Sequence, residues 1–559
     1  MSKYFKHFAA LFTPQMEKAS VDQVMNSGGG FVFALDKWAR LDRWLILGAE
    51  GGTYYASEQK LTRENAVSLL ECLAENGPRT VARIVEVSSA GRAPKNDPAI
   101  FALAIAAGHE DPVTRKAALE ALPKVCRFAT DLFHFVRDVE GFRKWGRGLR
   151  RAVAAWYNDK PADRVAYQAI KYQQRDGWSH KDLLRLSHPT APTPGHDALY
   201  RWITGGLEGL SKESARGKVI APAELPALIR GFESLRAATN RKQVIALIRE
   251  HRFTHEMLLS EWKNDPEVWE ALLEEMPQTA LIRSLGKMTA VGLLAPMSEA
   301  SRKVARQLTD TGRLTRARVH PISLLSALRV YEQGHGERAQ RRANALSWAP
   351  TREIVDALND AFYLAFKGVP PTGKNHLLAL DVSGSMASGT IAGIPGLTPR
   401  VASAAMAMAT ARIEPQFAVV GFTAAAGGYG GQWGGGDAGL TSLPISPKQR
   451  LDDVLKLLNG LPFGGTDCSM PMIWATKNKV VVDTFVIYTD NETWAGKVHP
   501  FQALREYRQK MGRPAKLIVA GMTATGFSIA DPTDPGMLDV VGFDAAAPQV
   551  MADFTRGQR

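Results

Sequence analysis

The sequence predicts a two-part chain, in which an all-α helical-repeat domain precedes an α/β domain with a doubly wound parallel sheet. Apolar residues recur at helical spacing through the first part, and no alternating strand pattern of useful length occurs before residue 375. After residue 375, short apolar runs alternate with helical segments, which is typical of a parallel sheet. Proline and glycine cluster at 368–373 between the two patterns. We therefore expect domains at 1–368 and 369–559.

Length and composition are those of a soluble globular protein with more than one core. The 559 residues exceed what one core usually organises, and 45% hydrophobic and 22% charged residues are ordinary values. The apolar run near the start is too short for a signal peptide, and no stretch approaches the length of a membrane span. The cysteines (Cys72, Cys126 and Cys468) are widely spaced, which argues against a disulfide framework or a structural zinc site. We expect a cytoplasmic protein without membrane contact.

The positive charge belongs to the first part of the chain. Of the 69 basic and 56 acidic residues, 371–559 hold 16 and 15, which leaves 53 and 41 for residues 1–370. Such an excess predicts a polyanionic partner, with nucleic acid as the first candidate. Solubility alone is the alternative explanation.

The first part has repeated signals for the starts of helices. Asp-Pro pairs at residues 97, 111 and 265 each place a capping carboxylate before a proline that suits the first helical position. Many short helices in series predict helix pairs stacked as a solenoid, whose extended curved surface suits a long ligand.

Two stretches of the first part combine cations in a way that could follow a phosphate backbone. In the first, a helix would place Arg143, Arg147, Arg150 and Arg151 on one side. In the second, cations are interleaved with Tyr172 and Trp178, a mixture that can hold unstacked bases over a charged track. The candidate RNA-binding residues of the second stretch are Lys171, Arg175, His180, Lys181, Arg185 and His188. The alternative is a solvated helix face with core aromatics.

The second part alternates strands and helices from its first strand onward. Strands are predicted at 375–381, 417–422, 484–490 and 516–520, and helices at 399–413, 448–459, 468–478 and 501–511. The glycine-rich segment 427–436 lacks the spacing of a phosphate-binding loop, so we interpret it as a flexible surface insertion.

Three strand-end loops of this part carry hard oxygen ligands. The first strand ends in a D-x-S-x-S motif, a later loop offers a threonine before a helix, and another strand ends in a carboxylate. Open α/β folds bind ligands at the carboxyl ends of their strands, and oxygen donors of this kind suit Mg²⁺ or Mn²⁺. The candidate metal ligands are Asp381, Ser383, Ser385, Thr466 and Asp490. The motif is short enough that it also occurs by chance in loops.

Long strings of the sequence resemble a known family. The metal motif is similar to the metal-ion-dependent adhesion site of von Willebrand A domains. The chain as a whole, from about residue 30 to its end, resembles the Ro autoantigen family. The strings that carry this resemblance are GAEGGTYYASEQKL (48–61), WSHKDLLRLSH (178–188), GGTDCSMPMIWA (464–475), TDNETWAGKVHP (489–500), ALREYRQKMGRPAKLIVAGM (503–522) and IADPTDPGMLDVVGFD (529–544).

The resemblance implies more than the residue pattern does. Proteins of this family are rings of HEAT-like helical repeats, the TROVE module, closed by a von Willebrand A domain. They bind small noncoding Y RNAs on a basic outer surface and take single-stranded 3′ ends of defective RNAs into a central hole. The resemblance assigns Y-RNA contacts to Lys171, Arg175 and His188. It also implies a monomer in a ribonucleoprotein and, among bacterial relatives, tethering to a 3′ exoribonuclease.

These expectations give a function of binding without chemistry, in RNA quality control, with two alternatives. One is a metal-dependent adhesion or assembly scaffold in which RNA is incidental. The other is a metal-dependent nuclease or phosphatase. Against an enzyme, the predicted metal shell has two carboxylates and no general base at evident spacing, whereas two-metal catalysis usually needs more.

Overall fold

The computed structural model describes residues 12–50, 52–211, 220–336, 346–366, 369–394, 396–424, 439–461 and 464–558. The predicted surface insertion at 427–436 therefore lies outside the described residues. Among those that are described, no helix combines the length and the apolar character needed to cross a bilayer.

The first part is built mainly of helices that pack against one another. They are α1 (Lys37–Leu47), α2 (Glu58–Ala90), α3 (Asp97–Gly108), α4 (Pro112–Val125), α5 (Ala129–Glu140), α6 (Arg147–Asn158), α7 (Ala162–Lys171), α8 (His180–Ser187), α9 (Pro194–Gly205), α10 (Glu208–Ser211), α11 (Ala227–Arg236), α12 (Arg241–His251), α13 (Pro266–Glu274), α14 (Gln278–Ala290), α15 (Glu299–Leu308), α16 (Thr311–Arg316), α17 (Pro321–Glu332) and α18 (Arg352–Leu364).

The predicted Asp-Pro helix starts are partly confirmed. The carboxylates of Asp111 and Asp265 accept backbone N–H groups at the starts of α4 and α13. At the third site the helix already includes Asp97, and the capping position falls on Asn96. The proline thus sets the first turn in all three cases, whereas the capping residue differs in one.

The helical part returns to its own beginning. From α1 to α18, most helices contact a helix that lies one or two positions along the series. Close to the start of α17, Arg318 donates a hydrogen bond to the carbonyl of Ser89 (2.6 Å), and His320 Nε2 lies 2.9 Å from the carbonyl of Arg92. Because residues 89–92 lie at the end of α2, these contacts join the late helices of the series to its early helices in a closed circuit.

Before residue 375 the structure contains short strands that the sequence did not predict. Strands β1 (Gln23–Met25) and β2 (Phe31–Ala34) form a three-stranded antiparallel sheet with β10 (Phe527–Ser528), which belongs to the second part. A further hairpin, β3 (Gln174–Arg175) and β4 (Trp178–Ser179), lies between α7 and α8. These strands have two to four residues each, too few to show a period-2 pattern.

The second part is the expected doubly wound α/β domain. Its sheet has the order β11-β9-β8-β5-β6-β7 and is parallel except for the edge strand β7. Its strands are β5 (His376–Asp381), β6 (Phe417–Phe422), β7 (Leu440–Leu443), β8 (Thr484–Thr489), β9 (Lys516–Gly521) and β11 (Met537–Val541). Its helices are α19 (Pro399–Ile413), α20 (Leu451–Asn459), α21 (Met470–Lys477), α22 (Pro500–Met511) and α23 (Ala547–Arg556). The predicted fold class is confirmed.

Core packing and buried charge join the two parts. One hydrophobic cluster runs without interruption from the helical part into α19 and α20. Arg43 of α1 is 1% exposed and pairs with Asp539 of β11, while Arg92 donates to Asp544 at 2.6 Å. The second part therefore rests on the start of the helical circuit, close to the point where that circuit closes.

Candidate nucleic-acid interface and metal site

The first candidate metal ligand, Asp381, is held at the end of a fully buried strand. One oxygen of its carboxylate accepts the N–H of Ser383 at 2.9 Å, and the other accepts the hydroxyl of Thr489 at 2.7 Å. Thr489 ends the neighbouring strand β8, directly before Asp490. The parallel register of β5 and β8 therefore brings the two predicted carboxylates to one edge of the sheet.

The hydroxyl groups and the second carboxylate complete a buried polar cluster. The hydroxyls of Ser383 and Ser385 lie 3.1 Å apart. Burial raises the pKa of Asp490, the charge of Asp381 raises it further, and a hydrogen bond with Ser385 opposes the rise. Burial likewise raises the pKa of Asp381. Two buried carboxylates that repel each other are costly in the ionised form, and a divalent cation held by these residues would remove that cost.

Thr466, the fifth candidate, lies in a loop that is fastened to the Asp490 loop. Its carbonyl accepts the N–H groups of Trp494 (3.1 Å) and Ala495 (3.0 Å). Thr466 is buried, as are the other four candidates. The structure thus brings all five predicted residues to the same strand-end loops. Their donor set of carboxylates and hydroxyls fits a hard cation such as Mg²⁺ or Mn²⁺ and does not fit zinc. Metal binding itself remains a prediction.

Beside this cluster, the N-terminal segment 13–34 is bound to the metal-side loops through buried amide groups. The side chain of Gln15 donates to Asp467 at 2.8 Å and accepts the hydroxyl of Thr493 at 2.5 Å. Gly28 N donates to the carboxylate of Glu492 at 2.9 Å. The sequence offered no signal for these contacts, because their partners are separated by more than 450 residues.

Helix α6 presents the first candidate basic stretch. Arg147, Arg150 and Arg151 are exposed, and within the described part of the chain no carboxylate lies at ion-pairing distance from any of them. Arg143 does not share this helix, which begins at Arg147 after the extended Gly146. Its guanidinium donates instead to the carbonyl of Ala107 at 2.8 Å. The prediction of one four-arginine helix face is therefore wrong for Arg143.

The second candidate stretch runs through the β3–β4 hairpin and α8, which contacts α6. Arg175 on the hairpin has a side chain that is 59% exposed. Lys181 and Arg185 on α8 are exposed, and no described carboxylate pairs with either of them. His188 caps the end of α8 in a left-handed conformation and is exposed. Together with α6, these residues form one cationic region, which we call the α6–α8 basic face.

Lys171 is less accessible than the sequence suggested. Its side chain is only 9% exposed, and its ammonium lies 3.8 Å from Glu256 and 5.3 Å from the ring centroids of Tyr167 and Tyr172. It also donates to the hydroxyl of Tyr167 at 3.1 Å. A contact between Lys171 and a phosphate would therefore compete with these partners.

His180 is a core residue and not a surface ligand. The prediction that it binds RNA is therefore wrong. Its ring is buried, lies 5.0 Å from the ring of Phe133, and its Nδ1 is 2.8 Å from the hydroxyl of Tyr157. Burial lowers the pKa of His180 to about 4. The residue is the first of α8, where the helix turns its side chain inward.

This burial predicts acid sensitivity. The imidazole of His180 stays neutral in the folded protein down to about pH 4, whereas in the unfolded chain it is protonated below its ordinary pKa. The unfolded chain therefore binds more protons than the folded protein in this range, and the free energy of unfolding decreases as the pH is lowered. Between about pH 6.5 and pH 4, His180 should cost up to about 3 kcal/mol of unfolding free energy. His180→Gln should flatten the fall in stability that urea titrations measure across this range. Replacing the exposed His188 by Ala should leave the fall as it is, and an unchanged slope in His180→Gln would contradict the assignment.

The sequence analysis missed two residues of the candidate sites, Thr489 at the metal site and Trp145 beside the α6–α8 basic face. Thr489 positions Asp381, and its place directly before Asp490 in the strand was the available signal. Trp145 lies beside Trp178, with ring centroids 6.0 Å apart. It was visible only as an aromatic residue inside the first basic stretch.

Comparisons with known proteins place both parts of the chain. Residues 24–329 match the TROVE domain, and residues 375–555 match the Ro60 vWA domain. The chain is 41% identical over 562 residues to the RNA-binding protein RO60 of Deinococcus radiodurans, with full coverage of both chains. It is 35% identical over 612 residues to the RNA-binding protein RO60 of Caenorhabditis elegans, covering 97% of this chain and 92% of the relative. The crystal structure of the Deinococcus radiodurans RO (RSR) protein superposes with a TM-score of 0.66 at 41% identity, covering 94% of this chain and all of that one.

Proposed function

The chain belongs to the Ro60 family of TROVE-domain proteins, and from this premise we propose that it binds RNA on the α6–α8 basic face. The observation that carries the proposal is the set of exposed, unpaired cations on two contacting helices. Such cations attract phosphates without regard to sequence, and their affinity depends steeply on salt.

The RNA that fits this face best is a small structured noncoding RNA, of the Y-like kind that the family resemblance implies. An α-helix cannot read bases inside the deep, narrow major groove of an RNA duplex, so shape and phosphate positions would select the ligand. The closed circuit of helices supports a second site, a central hole that would take the single-stranded 3′ ends of misfolded or defective RNAs. Duplex RNA would then bind outside without threading.

Taken together, these two sites give a role in RNA quality control or processing. A 3′ exoribonuclease, brought by the bound small RNA, is the partner that would consume threaded ends. We propose that the protein acts as a cytoplasmic monomer in this ribonucleoprotein and is itself not an enzyme. Its relatives are named as RNA-binding proteins. Release of labelled nucleotides by the purified protein with Mg²⁺, abolished by Asp381→Ala, would instead support a nuclease.

A second candidate function belongs to the metal site. Mg²⁺ or Mn²⁺ would be held by Asp381, Ser383, Ser385, Thr466 and Asp490. The ion would offer an open coordination site to a carboxylate of a partner protein. The buried carboxylate pair favours this candidate, because it is stabilised only when a cation or protons compensate its charge. The protein would then serve as a metal-dependent assembly scaffold, and this activity is compatible with RNA binding by the first part.

Replacing Lys171 and Arg175 together by Ala tests the RNA site. If both contact phosphates, affinity for a Y-like RNA should fall by about 10-fold or more, because hydrogen bonds to charged groups are the strong ones. The slope of log affinity against log salt should become shallower by about 1 to 2 units. Titration of the RNA at several salt concentrations measures both quantities.

The burial of Lys171 adds a finer expectation. Arg175→Ala alone should account for most of the loss, since only Arg175 has a freely exposed side chain. The matched control removes two exposed cations of other helices, Arg352 on α18 and Lys456 on α20, and should change neither affinity nor slope beyond the nonspecific background. Equal effects in both double variants would show that only net charge matters.

A further inference from the structure

Two indole rings meet at the edge of the α6–α8 basic face. Trp178 stands on β4 of the hairpin, and Trp145 lies in the segment just before α6. Their ring centroids are 6.0 Å apart with an interplanar angle of 46°, and both residues are partly exposed. Within the part of the chain that the structure describes, no Lys or Arg side chain covers either ring face.

Contacts restrain both rings. The indole N–H of Trp145 donates to the carboxylate of Glu140 at 2.9 Å. The backbone of Trp178 is fixed by its hairpin, whose turn residues Asp176 and Gly177 have φ angles of 53° and 80°, as a tight two-residue turn requires, and its side chain packs against the hydrophobic core. A surface that is held in place loses little conformational entropy when a ligand stacks on it.

The hairpin itself is tied to α5 through its turn. The carboxylate of Asp176 lies 2.5 Å from His134 Nδ1 and accepts the guanidinium of Arg137 at 2.8 Å. These contacts engage the acidic group next to Arg175, whose own distance to Asp176 is 4.0 Å. Arg175 therefore keeps a guanidinium that can bind a phosphate.

Cations lie next to the two tryptophans in the hairpin and along the chain. Arg175 is the direct cross-strand partner of Trp178, so both side chains project from the same face of the hairpin. Arg147 follows Trp145 by two residues, and Lys181 follows Trp178 by three. Aromatic faces flanked by guanidinium and ammonium groups are the arrangement that stacks a base while its phosphate is neutralised.

We propose that Trp145 and Trp178 form a stacking platform for an unpaired nucleobase of bound RNA, with Arg175 and Arg147 holding the adjoining phosphates. This inference rests on the proposed RNA binding and adds to it a preference for RNA in which a base is unpaired beside a duplex. Bases inside a regular duplex cannot reach the rings, because both of their faces are already stacked. The Glu140 carboxylate at the edge of Trp145 directs the phosphates to the opposite, cationic side.

The test uses the full chain and two short RNA duplexes that are identical except for one bulged 2-aminopurine. The wild-type protein should bind the bulged RNA about 10-fold more tightly than the perfect duplex and should quench the fluorescence of the probe base. Trp178→Ala should reduce the affinity for the bulged RNA to that for the perfect duplex and abolish the quenching. Its affinity for the perfect duplex should stay unchanged, which also reports that the variant is folded.

Three further measurements make the result decisive. Trp178→Phe keeps an aromatic face and should retain most of the preference, whereas Trp145→Ala should lose it as Trp178→Ala does. Trp202→Ala is the matched control, because that partly exposed indole of α9 donates to Glu233 of α11 at 2.8 Å and packs against Phe232 of the same helix. Persistence of preference and quenching in Trp178→Ala would overturn the platform, as would a loss of affinity for both RNAs in all three hairpin-region variants.

The wild-type protein separates this inference from the proposed function. Salt-dependent binding of both RNAs with equal affinity would leave RNA binding in place and overturn the platform alone. Salt-independent or absent binding of both RNAs would overturn the proposed function and the platform with it.

Discussion

Replacing Arg43 by Ala is expected to lower the free energy of unfolding by about 3–5 kcal/mol. Arg43 is 1% exposed and pairs with Asp539 across the boundary between the two parts. Its guanidinium also donates to the carbonyls of Thr525 (3.2 Å) and Phe527 (3.1 Å). Removing it leaves two carbonyl groups and the carboxylate of Asp539, which is 19% exposed, without their donor. A largely buried charge without a partner costs more than the pair contributes.

Urea unfolding monitored by circular dichroism measures the effect. The control is Arg63→Ala, since Arg63 is an exposed cation of the neighbouring α2, and its loss should stay within about 0.5 kcal/mol. Arg43→Lys should restore only part of the stability, because an ammonium cannot reproduce the planar fork that reaches Asp539 and both carbonyls. A loss in Arg43→Ala no larger than that of the control would show that the two parts are held by apolar packing alone.

The same residue shows what the sequence could and could not predict about the fold. Apolar runs of β5 and β8 and the Asp-Pro helix starts are local signals, and they predicted the two-part architecture that the structure and the family matches confirm. The pairing of β2 with β10 joins residues almost 500 positions apart through strands of four and two residues. Nothing local encodes such a contact, and the buried Arg43 looked like one more basic residue of a cationic domain.

In the candidate sites, the sequence could not predict at which residue a short helix begins, and therefore which of its side chains face solvent. The five predicted oxygen ligands could be placed from the ends of strands alone. The basic stretches needed the exact residue at which a helix begins. Because α6 begins at Arg147, Arg143 is left off its face, and because α8 begins at His180, that ring turns into the core. A shift of one residue in a helix start rotates a side chain by about 100°, which decides between solvent and core.

Replacing Asp490 by Ala is expected to abolish stabilisation by divalent cations. If the five-residue cluster binds Mg²⁺, the wild-type protein gains about 2.7 kcal/mol of stability when free Mg²⁺ reaches 100 times its dissociation constant. The variant keeps one carboxylate of the two and should lose this gain, because Mg²⁺ held by a single carboxylate and hydroxyls competes poorly with water. Thermal unfolding with Mg²⁺ and with EDTA measures the difference.

The matched control is Asp453→Ala on α20, which removes an exposed carboxylate from the same domain and should keep the response to Mg²⁺. RNA affinity supplies the second readout of Asp490→Ala. The RNA affinity should be nearly unchanged, because the α6–α8 basic face lies in the helical part, whereas Asp490 lies at the end of a strand in the α/β domain.

A response to Mg²⁺ equal to that of the control would refute the metal site. A large loss of RNA affinity in a folded Asp490→Ala would mean that the metal-side loops communicate with the helical circuit, for which the N-terminal segment bound to both Glu492 and β10 is the physical connection.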